Sequence, residues 1–324
     1  MADQDPVVIV GMARTPMGGL LGDLSSFSAS ELGAIAIKAA SEEAKLGAED
    51  ADEIIMGNCL PAGQGQAPAR QAGFKAGQDK GLEATTINKM CGSGMQAAVM
   101  GRNSILAGQA DIVIAGGMES MTNAPHLINL RKGHKYGATG AEDHMAIDGL
   151  TDVYKGGPMG QFADMIAGEY QFTREQQDAY ALETLARAKK ATEDGKFDRE
   201  IAPVTVKSRK GETVVETDEL PRTARPEKIP QLRPAFNKDG TVTAANASAI
   251  SDGAAAIIMM RASEAEKRGL KPIAKIVSTS SHAHEPEYFT TAPVPAMKKA
   301  LERAGWTTDD VDLWEVNEAF AVVP

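Results

Sequence analysis

One order of elements occurs twice in this chain, and that repetition restricts the fold more than any other feature. Near the start, Pro6-Val7-Val8-Ile9-Val10 reads as a short apolar strand. A helix is predicted over 30–44, with Ser28 or Ser30 as N-cap and Leu32, Ile35, Ala36 and Ala39 on one face. A second strand follows at 53–56. Late in the chain, Pro272-Ile273-Ala274-Lys275-Ile276-Val277 resembles the first strand, a helix is predicted over 295–304, and 308–313 mirrors 48–53. At an offset of 260, Lys38, Ala40, Ala44, Asp50 and Asp52 fall on the identical residues Lys298, Ala300, Ala304, Asp310 and Asp312. This is the mark of an internal duplication; two unrelated βα units of similar composition are the alternative.

Within the first copy, a strand at 84–88, a helix of small and apolar residues at 94–106 and a buried strand at 111–115 ending in Gly116-Gly117 continue the alternation. Such alternation implies an α/β fold, a mostly parallel sheet with helices on both faces. The apolar run 254–260 reads as a further buried strand that closes this sheet. The expected organisation is a first half-domain at 1–120 plus 247–270, an inserted domain at 121–246, and the start of a second half-domain at 271–324. The insertion holds a Gly/His/Lys-rich stretch at 131–138 and a helix at 174–194 opened by Thr173-Arg174-Glu175-Gln176, which has capping-box spacing. Strand-like pieces follow at 204–206 and 213–215. The second copy has 53 residues from Pro272 and no counterpart of the first copy's inner strands, so a C-terminally truncated chain is expected.

Composition narrows the function classes. With 43% hydrophobic and 24% charged residues the chain is ordinary globular protein, and a net charge of −10 argues against a nucleic-acid surface as its main business. Residues 187–239 run the other way, with 13 Lys or Arg against 10 Asp or Glu. That is either a site for an anionic ligand or a solvated face. The two cysteines, Cys59 and Cys91, belong to no CxxC or His/Cys cluster, so no metal is expected. The N-terminus carries no targeting pattern and no stretch approaches the roughly 18 apolar residues of a membrane span. A cytoplasmic protein with reduced thiols is expected.

Cys91 lies in Thr86-Ile87-Asn88-Lys89-Met90-Cys91-Gly92-Ser93-Gly94-Met95, between a predicted strand and a predicted helix. A cysteine on that tight turn faces the positive end of the helix dipole, which favours thiolate over thiol. Its backbone N–H can point at a developing oxyanion, as in other strand–nucleophile–helix elbows. The alternative is a buried, inert thiol, the usual fate of a free cysteine. Cys59, on a glycine-rich loop without such a frame, is read as inert.

Five segments carry a resemblance. NKMCGSGMQA, AGGMESMTNAP, GLTDVY with its following MG, LRPAF…GTVTAANAS…SDGAAA, and VNEAFA occur in order over nearly the whole chain, and together they resemble the thiolase family. The resemblance implies two duplicated βαβαβ halves with an inserted loop domain, the second half incomplete here. It implies an acyl-CoA C-acyltransferase of fatty acid metabolism, an acetyl-CoA C-acetyltransferase or 3-ketoacyl-CoA thiolase. Such an enzyme condenses two acetyl-CoA or runs the reverse thiolysis. Cys91 would take the acyl group as a thioester. Asn317, in VNEAFA, would hold a water against the enolate of the second thioester. Ser248 would contact the pantetheine and Arg222 would lie near the nucleotide end. Leu150, Met159, Phe236, Ala244, Ala319 and Phe320 would line the tunnel. Coenzyme A thioesters are substrates here, so no cofactor is implied, and the partners are acyl-CoA and CoA without nucleic acid or membrane. The 131–138 stretch lies where the family builds an assembly hairpin, which implies a homodimer or homotetramer at full length.

The sequence departs from the family at three places. The catalytic histidine, in a His-Pro-x-Gly motif, and the second cysteine, in a Cys-x-Gly-Gly motif, follow VNEAFA in the family; neither motif is in these 324 residues. The fragment alone is therefore expected to form no C–C bond. Gly157-Pro158-Met159-Gly160 and Phe289-Thr290-Thr291-Ala292-Pro293 also differ from the common pattern, which leaves acetyl against longer acyl preference open. Two rival readings are another condensing synthase on the same fold and a non-catalytic lipid-carrier or scaffold module. The long insertion and VNEAFA weigh against the first, and the intact NKMCGSG turn against the second.

Overall fold

A computed structural model describes residues 5–209 and 211–324. The chain divides into two compact units. The first takes in Met1–Gly149, Gly195–Arg222 and Ile250–Ile276, and the second takes in Leu150–Asp194, Thr223–Ala249 and Val277–Pro324. The stretch 121–246, read from the sequence as an insertion, is thus shared between both.

The first unit is built on β1 (Val7–Arg14), α1 (Ala29–Glu43), β2 (Glu53–Gly57), α2 (Pro68–Lys75), β3 (Glu83–Ile87), α3 (Ser93–Ala107), β4 (Ile112–Ser120) and β5 (Ser251–Arg261). Its sheet has the order β1-β5-β4-β2-β3, and Ala274–Lys275 pairs on the outer side of β1. Ser28 caps α1: its N–H donates to the Glu31 carboxylate at 2.8 Å, which satisfies a donor the helix cannot. Ile54, Met56, Ile114, Ile258 and Met260 point to one face, against Leu32 and Ile37 of α1. Ile55, Val113, Ala115 and Met259 point to the other, against Ala97 and Ile105 of α3. This period-two division buries the inner strands on both sides, which is why they read as continuous apolar runs.

Two expectations about this sheet need correction. It is parallel only across β2, β3 and β4. The run at 254–260 lies at the centre as part of β5, antiparallel to β4 from Asp252 opposite Ser120 to Met260 opposite Ile112, and antiparallel to β1. An apolar run records burial, not direction, so periodicity could not show this. The second correction concerns the later copy. Of 272–277, which resembles the first strand, only Ala274–Lys275 joins a ladder.

The second unit contains α4 (Gly160–Glu169), α5 (Arg174–Glu193) and the helix Pro293–Ala304. The expected capping box opens α5: the Gln176 N–H donates to Thr173 Oγ1 at 3.2 Å and the Thr173 N–H to Gln176 Oε1 at 2.8 Å. Ala163 and Ala167 of α4 pack on Val242, Phe320 and Val322. Asp164 organises the loop around them. Its carboxylate accepts the Thr241 and Val242 N–H groups at 2.8 and 2.9 Å and the Asn237 side-chain amide at 2.9 Å. Removing an acceptor of three donors would leave them unpaired at the edge of an apolar core.

Candidate active site

Strands β2, β3 and β4 run parallel with Gly57 in register with Ile87 and with Gly117. Their carboxyl ends therefore open on one edge of the sheet, the edge at which parallel α/β sheets bind ligands. Residues 58–60 and 88–91 lie just beyond the ends of β2 and β3, and 118–119 are the part of β4 past its parallel pairing with β2.

Cys91 stands there, exposed, two residues before the first turn of α3. The turn that presents it is closely tied. Met90 has φ +48°, a left-handed conformation that a side chain with a Cβ rarely adopts. Its N–H donates to Asn88 Oδ1 at 2.9 Å, and its carbonyl accepts the Ser93 hydroxyl at 2.6 Å and the Ser93 N–H at 3.0 Å. The Lys89 N–H donates to Ser93 Oγ at 2.8 Å. Ser93 is buried, so one side chain fixes two peptide groups of the turn. Behind it, Gly57 lets β2 approach α3: a Cβ on Gly57 would stand 2.5 Å from Ser93 Cβ and 2.8 Å from the Gly94 nitrogen. Cys91 immediately precedes the N-cap Gly92 of the fifteen-residue α3, at the positive end of that helix.

The sequence reading missed what lies beside this turn. Cys59 has no strand–turn–helix frame of its own, but it lies against the Cys91 turn. Its thiol reaches the Met90 carbonyl at 3.1 Å and Ser93 Oγ at 3.4 Å. Burial pushes the Cys59 thiol up to about 11; Ser93 opposes this, and the nearby Glu119 and Cys91 add to it. Glu119 accepts the Cys59 N–H at 2.7 Å, the Leu60 N–H at 3.2 Å and the Asn58 side-chain amide at 2.7 Å. Burial also pushes the Glu119 carboxyl up, against those bonds. The available signal was topological: parallel neighbours in register bring the residues after each strand together.

The second unit assembles most of the other expected residues. Leu150 and Met159 are joined by a hydrogen bond from the Met159 N–H to the Leu150 carbonyl at 3.0 Å. Met159, Phe236 and Ala319 pack with Phe320 in the unit's apolar cluster. The Phe320 ring meets Phe236 edge-on at 6.3 Å and Phe289 at 6.2 Å. Residues 246–248 lie along 319–321: the Ser248 N–H donates to the Ala319 carbonyl at 2.8 Å and the Ala321 N–H to the Asn246 carbonyl at 2.8 Å. Ser248, Ala244 and Asn317 are exposed, and Asn317 lies in irregular chain. Its neighbour Glu318 was not anticipated as part of the site. Glu318 accepts the Tyr180 hydroxyl at 2.8 Å and the Thr184 hydroxyl at 2.9 Å, so α5 holds the segment that carries Asn317. Burial, with Glu318 adding to it, pushes the Tyr180 hydroxyl up to about 12. Tyr180, Thr184, Ser248 and Glu318 share a cavity of about 130 Å³.

Arg222 belongs to the first unit, in the short helix Glu219–Thr223. Its half-exposed guanidinium is ion-paired with Asp23. Among the described residues no cluster of His, Cys, Asp or Glu could hold a metal ion, and no helix is long and apolar enough to cross a membrane.

The chain is similar to known proteins over nearly its whole length. Residues 7–263 match the N-terminal domain of thiolases and residues 270–324 match the C-terminal domain. An acetyl-CoA acetyltransferase of Rhizobium meliloti (strain 1021) is 48% identical over 316 residues, 97% of this chain and 80% of that protein. A cytosolic acetyl-CoA acetyltransferase of Mus musculus is 46% identical over 325 residues, 99% of this chain and 82% of that protein. The crystal structure of Acat5 thiolase from Ascaris suum in complex with coenzyme A superimposes with a TM-score of 0.93 at 41% identity, covering 98% of this chain and 82% of that one.

Proposed function

Because this chain belongs to the thiolase family, we propose that it is an acyl-CoA C-acyltransferase that takes acetyl groups from acetyl-CoA on Cys91. One observation carries this reading: an exposed cysteine, on a left-handed turn tied at both ends, immediately precedes the N-cap of a fifteen-residue helix.

In the first half-reaction the Cys91 sulfur attacks the thioester carbonyl of acetyl-CoA. The tetrahedral intermediate collapses, CoA leaves as its thiolate, and an acetyl thioester stays on the enzyme. In the second half, a general base takes a proton from the α-carbon of a second acetyl-CoA and keeps it while the enolate attacks the Cys91 thioester. Cys91 departs as thiolate with acetoacetyl-CoA as product; thiolysis of a 3-ketoacyl-CoA is the reverse. The thioester acidifies its own α-carbon, and donors at the enolate oxygen stabilise the charge that develops there. Asn317 is assigned to that oxygen through a water, and Glu318 holds its segment. This reading assigns no base.

Ser248 is assigned to the pantetheine and Arg222 to the nucleotide end of CoA, where its guanidinium would share itself with Asp23. Leu150, Met159, Phe236, Ala244, Ala319 and Phe320 are assigned to the acyl tunnel. Phe289, from one of the segments that depart from the family pattern, packs on Phe320, which supports a role in acyl-chain preference. The proposal keeps the half-domains at 1–120 plus 247–270 and from 271, with 121–246 as the inserted loop domain. It includes assembly into a homodimer or homotetramer and a place in the cytosol, in keeping with the cytosolic relative.

The test is isotope exchange. With acetyl-CoA and radiolabelled free CoA, label enters acetyl-CoA without any condensation if acylation of the enzyme is reversible. The expected result is exchange that depends on protein. Its absence, or exchange only with malonyl-CoA and release of CO2, overturns the proposal.

A further inference from the structure

We propose that Cys59 is a positioning residue for Cys91: its thiol donates to the Met90 carbonyl and, with Ser93, pins the left-handed residue that presents the nucleophile. This rests on the reading of Cys91 as the nucleophile.

A left-handed Met90 persists only where its surroundings over-determine it. Its carbonyl is held from three directions: by Cys59 Sγ at 3.1 Å, Ser93 Oγ at 2.6 Å and the Ser93 N–H at 3.0 Å. Two of these come from Ser93, four residues after Lys89 on the same turn. The third comes from a different strand end, so Cys59 is what ties the turn to the sheet. The tie is made twice, because the Asn88 side-chain amide also reaches the Cys59 carbonyl at 3.3 Å. Cys59 is itself anchored. Its N–H donates to Glu119 at 2.7 Å, and Glu119 is a residue of β4, one of the two central strands.

The chemistry of the thiol suits the task. The charged and titratable groups that face Cys59 are Glu119 and Cys91, and His144 acts in turn on Glu119. With burial and a neighbouring carboxylate pushing it up to about 11, Cys59 keeps its proton at any pH at which Cys91 works as a nucleophile. It therefore remains a donor, and it does not compete with Cys91 for acyl groups or alkylating agents.

The experiment compares the wild-type chain with Cys59→Val, Cys59→Ala and Cys59→Ser. It reads the rate of iodoacetamide modification at the Cys91 peptide across pH, the rate of CoA exchange, the acetyl-CoA concentration for half-maximal exchange, and the thermal midpoint. Valine and alanine remove the donor, and alanine does so without adding bulk; serine keeps a donor. The expected result is that Val and Ala lower modification and exchange by about tenfold. They also move the modification profile to higher pH, because the Met90 carbonyl, left with the two Ser93 donors alone, keeps more partial negative charge next to Cys91. Serine stays within about twofold of wild type, and half-maximal acetyl-CoA is unchanged in all three. Val and Ala at the wild-type rate with an unmoved profile, or Ser falling as far as they do, overturns the proposal. A wild-type Cys91 that reacts no faster than Cys59 overturns the nucleophile reading itself, and that failure is visible before any variant is made.

Discussion

Cys91→Ala is expected to lose acetyl-CoA/CoA exchange entirely while keeping its fold. Cys91 is exposed and belongs to none of the apolar clusters, so truncating it leaves no cavity and changes stability by no more than about 0.5 kcal/mol. Activity has no such tolerance. The acyl group must reside on a sulfur between the two half-reactions, and Cys59, the other thiol, is half-buried with its proton held up to about 11. Exchange assays beside a denaturant melt separate the two effects. Exchange persisting in Cys91→Ala would mean that another group carries the acyl chain.

Gly57→Ala is expected to damage both stability and chemistry. The added Cβ would lie 2.5 Å from Ser93 Cβ, 2.7 Å from the Ser93 carbonyl carbon and 2.8 Å from the Gly94 nitrogen. Two of those atoms are backbone at the start of α3, so no rotamer change relieves the contact. Either β2 or the helix must shift, at a cost of about 3 kcal/mol. The helix start carries Ser93, and Ser93 holds both Lys89 and Met90. A shift large enough to relieve the clash therefore loosens the Cys91 turn, and exchange falls by about a hundredfold. A melting temperature within a degree of wild type, with exchange unchanged, would show that the close approach is not as tight as the geometry has it.

The parts of this architecture legible in the sequence are those governed by local physics. The α1 helix announced itself by an apolar face and by Ser28 and Ser30 as candidate N-caps, of which the structure uses Ser28. The start of α5 did so by Thr173 and Gln176. The Cys91 turn was legible because a strand pattern, a glycine-flanked cysteine and a helix pattern follow one another directly. What remained hidden depends on which strands become neighbours. That β5 runs against β1 and β4 at the sheet's centre leaves no trace in an apolar run such as Ala254–Met260. Cys59 looked inert because its glycine-rich loop has no strand–helix frame; it lies 32 residues from Cys91, and only the parallel register of Gly57 with Ile87 closes that distance. Glu119 was visible inside a family-like segment, but its work is on the Asn58–Leu60 backbone, which no spacing rule connects to it. In the second unit, Phe236 and Phe320 came together on the list of tunnel residues through resemblance alone. The hydrogen bonds of Tyr180 and Thr184 to Glu318 could not be anticipated from helix periodicity, since both lie on the mostly polar α5.

The central claim is that Cys91 is the group that takes the acyl chain, and the most direct test is to find the acyl chain. The protein is incubated with acetyl-CoA carrying a radiolabelled acetyl group, quenched in acid and digested, and the labelled peptide is identified. The account predicts a single label on the peptide containing Cys91, released by neutral hydroxylamine as a thioester must be. A label on the Cys59 peptide, a hydroxylamine-stable label on a lysine, or no label would contradict it.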